Sequence, residues 1–369
     1  MPRIGDIVTV SIGFYFYPVG DPNYPAGEIQ FSETEKPGFY QGYRLAQGSP
    51  YTHLTPKLYW LNQKPEIIDS ECGGIVRGQP QVLINKARAS RSKWRHKAFI
   101  DAQGRPFNDR FICFRPQRNV SLNTLWAIVN SPLANAFTFA ESPRADFSPV
   151  RLGRMPFPVL RKGDTKALDE AVDSYFEAAR RFSIRFAEQE RKRPGKNRTV
   201  TPPADEALEL PLEDESQNQR DDIAAARETL RALHWRVDAE VLKLYSLPAA
   251  LERELLDFFD GVHRIGVPFE QTAYIPSRFR EANRLDDYLR ITDEWEQTDD
   301  RRCQLVEKQF RGGGRNAKEN AEFAELQRLY GLRRSYRRWQ RTGDANHPLI
   351  DEAALRRVQE EDARRDQRK

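Results

Sequence analysis

The sequence predicts an α+β protein: a β-rich N-terminal domain, then a helical spacer and a long helical hairpin. Three observations carry that expectation. In Ile7–Phe16, Val8, Val10, Ile12, Phe14 and Phe16 alternate with Thr9, Ser11, Gly13 and Tyr15, the period of a strand with one buried face. From Asp164 the period lengthens. Leu168, Val172, Tyr175, Ala179, Phe182 and Phe186 step by four and three, the seam of a helix packed on another helix. Toward the C-terminus two helical arms, about 286–310 and 317–339, flank Gly312-Gly313-Gly314.

The β-rich domain is expected over residues 1–160. Pro and Gly punctuate Pro18–Pro50, which predicts loops and short strands there. Leu58–Trp60, Gln81–Ile84, Ala98–Asp101 and Phe111–Phe114 read as further strands, with Gln103-Gly104 and Asn108-Asp109 as turns. Ser121 is the expected N-cap of a helix over Leu122–Val129, whose Leu122, Leu125, Trp126 and Val129 share a face. Ser131-Pro132 restarts a second helix, because proline suits a first turn, and Leu133, Ala136 and Phe137 form its expected buried side.

Asp164 is the expected cap of the spacer helix, placed at 161–190. Residues 191–220 read as a flexible linker. They are basic at first (Arg191, Lys192, Arg193, Lys196, Arg198), then acidic (Asp205, Glu206, Glu209, Glu213, Asp214, Glu215), and poor in apolar residues. A helical domain over 221–345 follows. In Asp222–Tyr245 the residues Ile223, Leu230, Leu233, Val237, Val241 and Leu244 turn inward, and Ala249–Phe259 restarts after Ser246-Leu247-Pro248 and stops at Gly261. Gly266–Arg278 is a connector, and Phe323, Leu326, Tyr330, Tyr336 and Trp339 mark the apolar side of the hairpin. Residues 346–369 form a charged tail.

A chain of 369 residues can bury a full core and hold two or three domains. Its net charge of +5 is modest because many acids offset many bases, so arrangement matters more than the total. Cys72, Cys113 and Cys303 are far apart and odd in number, with no zinc-ligand spacing, which argues against a disulfide framework or structural metal. The N-terminus has no apolar signal core and no apolar run approaches membrane-spanning length. The expectation is a cytoplasmic protein with no membrane partner.

The most distinctive stretch is Leu83–Lys97. An apolar strand runs into a loop holding Lys86, Arg88, Arg91, Lys93, Arg95 and Lys97, with Trp94 among them and no carboxylate interrupting. Clustered cations are costly to assemble unless a polyanion neutralises them, and a phosphate backbone releases counterions when they dock. Arg88, Arg91 and Arg95 suit two-pronged donation to guanine O6/N7, while Lys86, Lys93 and Lys97 suit phosphates. Trp94 is either a groove wedge or a core anchor. Arg115, Arg118, Arg144, Arg151 and Arg154 extend the candidate positive face.

Familiar catalytic motifs do not occur. There is no phosphate-binding Gly-x-x-x-x-Gly-Lys-Ser/Thr loop, Gly-x-Ser-x-Gly elbow or His-Glu-x-x-His helix, and His53, His96, His234, His263 and His347 do not cluster. His234, beside Trp235, reads as a packed residue. Asp164-Thr165-Lys166 imitates half of a nuclease site but lies at a helix start.

The order of several blocks resembles a known family. The blocks are Asn85–Arg95, Phe99–Gly104, Phe111–Pro116, Leu125-Trp-Ala-Ile-Val-Asn-Ser-Pro-Leu-Ala-Asn-Ala-Phe137 and Leu152–Pro158. In that order they resemble the target-recognition region C-terminal to the catalytic domain of bacterial N6-adenine DNA methyltransferases. More distantly they are similar to type I restriction specificity subunits. Asp238–Pro248, Leu251–Leu256 and Gly266–Phe269 resemble the same group. The likeness spans roughly residues 1–340 and is densest over Val82–Pro158. The Asn/Asp-Pro-Pro-Tyr/Phe motif and the Gly-rich S-adenosylmethionine loop of such enzymes are missing. Asp21-Pro22-Asn23-Tyr24 is the nearest string, and it reads as a turn.

The resemblance implies the DNA-reading part of a methyltransferase without its chemistry. Double-stranded DNA and a methyltransferase catalytic subunit would be its partners, and S-adenosylmethionine would belong to that subunit. The apolar stripes of 168–186 and 286–339 would dock such a partner or pack on one another. Two other classes stay open: a non-catalytic scaffold of a phage-defence assembly, and a nuclease or other enzyme whose site is assembled from residues distant in sequence.

Overall fold

The alternating segments form three antiparallel sheets. The computed structural model describes residues 1–44, 51–117, 120–141, 146–161, 163–192, 213–269, 274–275, 284–310 and 314–327. Its strands are β1 (Val8–Ile12), β2 (Tyr15–Phe16), β3 (Phe31–Ser32), β4 (Phe39–Tyr43), β5 (Leu58–Asn62), β6 (Ile68–Ser70), β7 (Gln81–Asn85), β8 (Ala98–Asp101) and β9 (Phe111–Pro116). The main sheet has the order β1-β9-β7-β8, with β3-β5-β4 and β2-β6 as smaller sheets. The single strand expected over Ile7–Phe16 is two strands. A Cβ on Gly13 would stand 1.9 Å from the Asn108 carbonyl oxygen, so this close backbone approach is open only to glycine and interrupts the run.

Strand β7 is buried at all five positions, which explains why it reads as a continuous apolar run rather than an alternating one. One face, with Val82, Ile84, Ile112 and Phe114, joins the core built on Leu125, Trp126 and Val129. The other, with Leu83, Phe99, Phe111 and Cys113, closes on Tyr43 and Phe107.

The helices are α1 (Leu122–Asn130), α2 (Pro132–Glu141), α3 (Pro149–Leu152), α4 (Lys166–Lys192), α5 (Glu213–Tyr245), α6 (Ala249–Phe258) and α7 (Leu285–Phe310). Ser121 caps α1 as expected, its Oγ accepting the Thr124 N–H at 2.9 Å. Every residue of α1 from Thr124 to Asn130 is buried, because the helix packs against both the sheet and α4. Asp169 ties α1 to α4, accepting from Ser121 Oγ (2.6 Å) and Thr124 Oγ1 (2.8 Å). The expected α2 face is shifted: Ala134, Asn135 and Thr138 are buried, while Leu133, Ala136 and Phe137 are only partly so.

The α4 stripe follows the sequence period, with Leu168, Val172, Tyr175, Ala179 and Phe182 buried, and α4 packs along α5. Asp164 does not cap it; its carboxylate accepts from the Arg161 N–H, and α4 starts two residues later. Helix α5 begins at Glu213, inside the stretch expected to be linker, while 193–212 lies outside the described residues. Leu230, Val237 and Val241 are buried on α5, together with His234 and Asp238, which the apolar pattern alone does not select.

The chain divides into two compact units, Met1–Tyr288 and Leu289–Lys369. In the second, ion pairs Arg301–Glu322 (2.9 Å) and Lys308–Glu319 (2.7 Å) join α7 to a helix over 317–327, the described part of the expected hairpin. Gly312-Gly313, residues 328–339 and the charged tail lie outside the described residues. Among the described residues no helix is long and apolar enough to cross a membrane.

Candidate nucleic-acid interface

The basic loop occupies residues 86–97 between β7 and β8, and three asparagine side chains hold its ends. Asn85 Oδ1 accepts the Lys97 N–H at 3.0 Å, and its amide donates to the Ala87 carbonyl. Asn135 Oδ1 accepts from the backbone N–H groups of Arg95 (2.9 Å) and His96 (3.2 Å). Asn130 Oδ1 accepts from Ala98 N–H at 2.8 Å, and its Nδ2 donates to the Ala98 carbonyl at 3.2 Å. Asn130 and Asn135 are the two asparagines of the Asn-Ser-Pro-Leu-Ala-Asn string. The chemistry of that string is therefore to satisfy loop backbone that no strand pairs. Ser131 between them sets the start of α2, its Oγ accepting from Ala134 N–H at 3.2 Å.

Trp94 resolves as the core anchor rather than the wedge. It is 1% exposed, its ring meets Phe259 edge-on with centroids 5.0 Å apart, and the Arg264 guanidinium lies 4.2 Å from its ring centroid. Arg264 is itself buried. It forms an ion pair with Asp238, donates to the Asn130 carbonyl at 2.7 Å, and reaches Tyr274 Oη at 3.2 Å. Tyr274 donates in turn to Asp238 Oδ2 at 2.9 Å. Burial alone would push the Asp238 carboxyl up, but the Arg264 charge beside it holds it below its ordinary value. A buried ion pair with its remaining donors and acceptors satisfied fixes one arrangement of the groups around it. Here those groups are α5, the segment after α6, the end of α1 and Trp94.

The cations of the run divide in two. Lys93 Nζ donates to the Phe258 carbonyl at 2.6 Å, at the C-terminal end of α6, where a cation offsets the helix dipole. Arg95 is 6% exposed, with its guanidinium 4.6 Å from the Phe139 ring centroid, so the expectation that it reaches a base is corrected. Lys97 is half-buried, and burial pushes its ammonium below the ordinary value. Lys86 pairs with Asp109 at 3.8 Å and donates to Tyr15 Oη at 3.3 Å. Arg88 and Arg91 differ. Arg91 is exposed and Arg88 half-exposed, and neither side chain makes an ion pair or hydrogen bond among the described residues.

The outlying cations are similarly mixed. Arg115 is 6% exposed and donates to Gln81 Oε1 (3.0 Å) and the Gly73 carbonyl (2.7 Å), which removes it from the positive face. Arg151 donates to the Glu141 carbonyl at 2.8 Å. Arg154 is exposed with no side-chain partner among the described residues. Arg118 and Arg144 lie outside the described residues. The positioning residues Asn85, Asn130, Asn135, Asp238 and Arg264 were not singled out from sequence. The Asn-Ser-Pro-Leu-Ala-Asn string was the available signal for two of them.

Among the described residues, no group of three or more His, Cys, Asp or Glu is placed to hold a metal ion. A cleft lined by Thr52, Asn85 and Lys97 has a volume of about 10 Å³, the size of one water. Asp21–Tyr24 is a turn, with the Asn23 N–H donating to Asp21 Oδ1 (2.8 Å) and the Tyr24 N–H to the Asp21 carbonyl (2.9 Å). His234 is packed against Tyr175, and burial, with Arg264 nearby, pushes its imidazole below the ordinary value. Compared with models of protein families and with curated protein sequences, the chain gives no match.

Proposed function

We propose that this chain is the sequence-specific DNA-binding specificity component of a DNA adenine-N6 methyltransferase or restriction-modification system, and that it directs a separate catalytic subunit. The observation that carries the reading is the loop itself: Arg88 and Arg91 stand without anionic partners among the described residues, on a segment whose ends are held by Asn85, Asn130, Asn135 and Trp94. Guanidinium groups presented on a fixed backbone lose little ordering entropy when they meet base edges or phosphates. Arg154, exposed and with no side-chain partner among the described residues, is the remaining candidate phosphate contact outside the loop. Methyl transfer, with its S-adenosylmethionine, belongs to the partner subunit, and a nucleoid location follows from the ligand.

The test is duplex-DNA affinity of the full chain as a function of salt. Log affinity is expected to fall linearly with log salt, and Arg88→Ala with Arg91→Ala is expected to reduce the slope by about two. An unchanged slope removes the loop from the interface.

A further inference from the structure

Among the described residues, Asp146 is the acidic side chain that the fold brings to the shoulder of the basic loop by direct backbone pairing. Ala87 and Asp146 form an isolated antiparallel bridge, and the Phe147 N–H donates to the Lys86 carbonyl at 2.8 Å. The bridge sets Asp146 next to the residue that precedes Arg88. Asp146 is exposed and has no ion-pair partner among the described residues, although the cationic run lies alongside. Asp109, a second carboxylate near the loop, pairs with Lys86 at 3.8 Å.

A carboxylate at the edge of a phosphate-binding surface weakens binding to every sequence alike, since it repels the backbone and offers it no donor. In the major groove the same group is useful, because it accepts the exocyclic amino N–H of cytosine, while arginine donates to guanine O6/N7. We propose that Asp146 is a specificity-determining residue that accepts from cytosine N4, and that with Arg88 and Arg91 it reads a guanine- and cytosine-containing step of the target. This rests on the proposed function and adds the base that the acidic residue selects. Exclusion of competing sequences comes with it, because guanine and thymine present only acceptors toward the same carboxylate, and adenine sets its N7 acceptor beside its N6 donor.

The experiment is selection from a randomised duplex library by the full chain, in wild-type form and as Asp146→Asn and Asp146→Ala. Wild type is expected to enrich a motif with guanine and cytosine at neighbouring positions. Asp146→Asn is expected to move one position from cytosine toward adenine, since an amide pairs with adenine N6 and N7. Asp146→Ala is expected to lose roughly fivefold discrimination at that position, the low end for one base contact, and to bind unrelated duplexes more tightly. Thermal unfolding of both variants checks that the bridge to Ala87 persists. Duplex binding with tighter affinity but unchanged preference in both variants overturns the assignment of Asp146 alone, leaving it a group that only tempers the loop's charge. Failure of the wild-type chain to bind any duplex overturns the proposed function and this inference together.

Discussion

Residues 86–92 and 93–97 belong to one cationic run in the sequence, yet the fold uses them for opposite purposes. In the second half, Lys93 closes the end of α6, Trp94 lies between Phe259 and Arg264, Arg95 covers Phe139, and His96 is buried against the Val129 carbonyl at 2.7 Å. In the first half, Arg88 and Arg91 touch no acid among the described residues. A run of like charges therefore does not define a surface. Part of it can be the scaffold that holds the rest, since long cationic side chains bury their stems and lay their heads on rings and helix ends.

The largest effect that would break this contrast lies in the buried half. Trp94→Ala is expected to cost about 3–5 kcal/mol through the cavity it leaves. Asp238→Ala is expected to cost about 3–5 kcal/mol, because Arg264 would keep a buried charge without its counterion. Chemical denaturation measures both, and a loss under about 1 kcal/mol for Trp94→Ala would mean that the anchor does not exist.

Acid comes next. Burial pushes His96 down to about 4, and burial with the nearby Arg180 charge does the same to His53, also to about 4. An imidazole held neutral in the fold is protonated first in the unfolded chain. Its contribution is thus intact above about pH 6.5 and is lost as pH falls from there toward 4. Each histidine is expected to cost roughly 2 kcal/mol at pH 5 relative to neutral pH. His96→Gln is expected to flatten the pH dependence of the denaturation midpoint.

The smallest effect sharpens the other side. Arg88→Ala and Arg91→Ala are each expected to change folding stability by no more than about 0.5 kcal/mol, as for surface groups with no partner among the described residues. A loss above about 1 kcal/mol in the melt would place these arginines in the scaffold with Arg95.

Much of the architecture was legible in the residues. Strand β8 has the bounds its apolar pattern predicts, Ser121 caps α1, Pro132 opens α2, and the α4 stripe from Leu168 to Phe182 is buried. These features depend on local chemistry: a two- or four-three period, a hydroxyl three residues before a free N–H, a ring that presets φ. Helix starts were less secure, as Asp164 and Glu213 show, because an acidic residue suits a cap, a first turn and a solvated linker equally well.

What the sequence determined by itself is a β-rich N-terminal part, helices after it and a carboxylate-free basic run from Lys86 to Lys97. Which members of that run are available was decided only by tertiary contacts. Asn130 lies 32 residues from Ala98, Asn135 40 from Arg95, Arg264 134 from Asn130 and Phe258 165 from Lys93. No period or spacing encodes such pairings. They arise because a buried amide or charge must find a partner wherever the chain folds back, and the partner it finds sets which cations remain free.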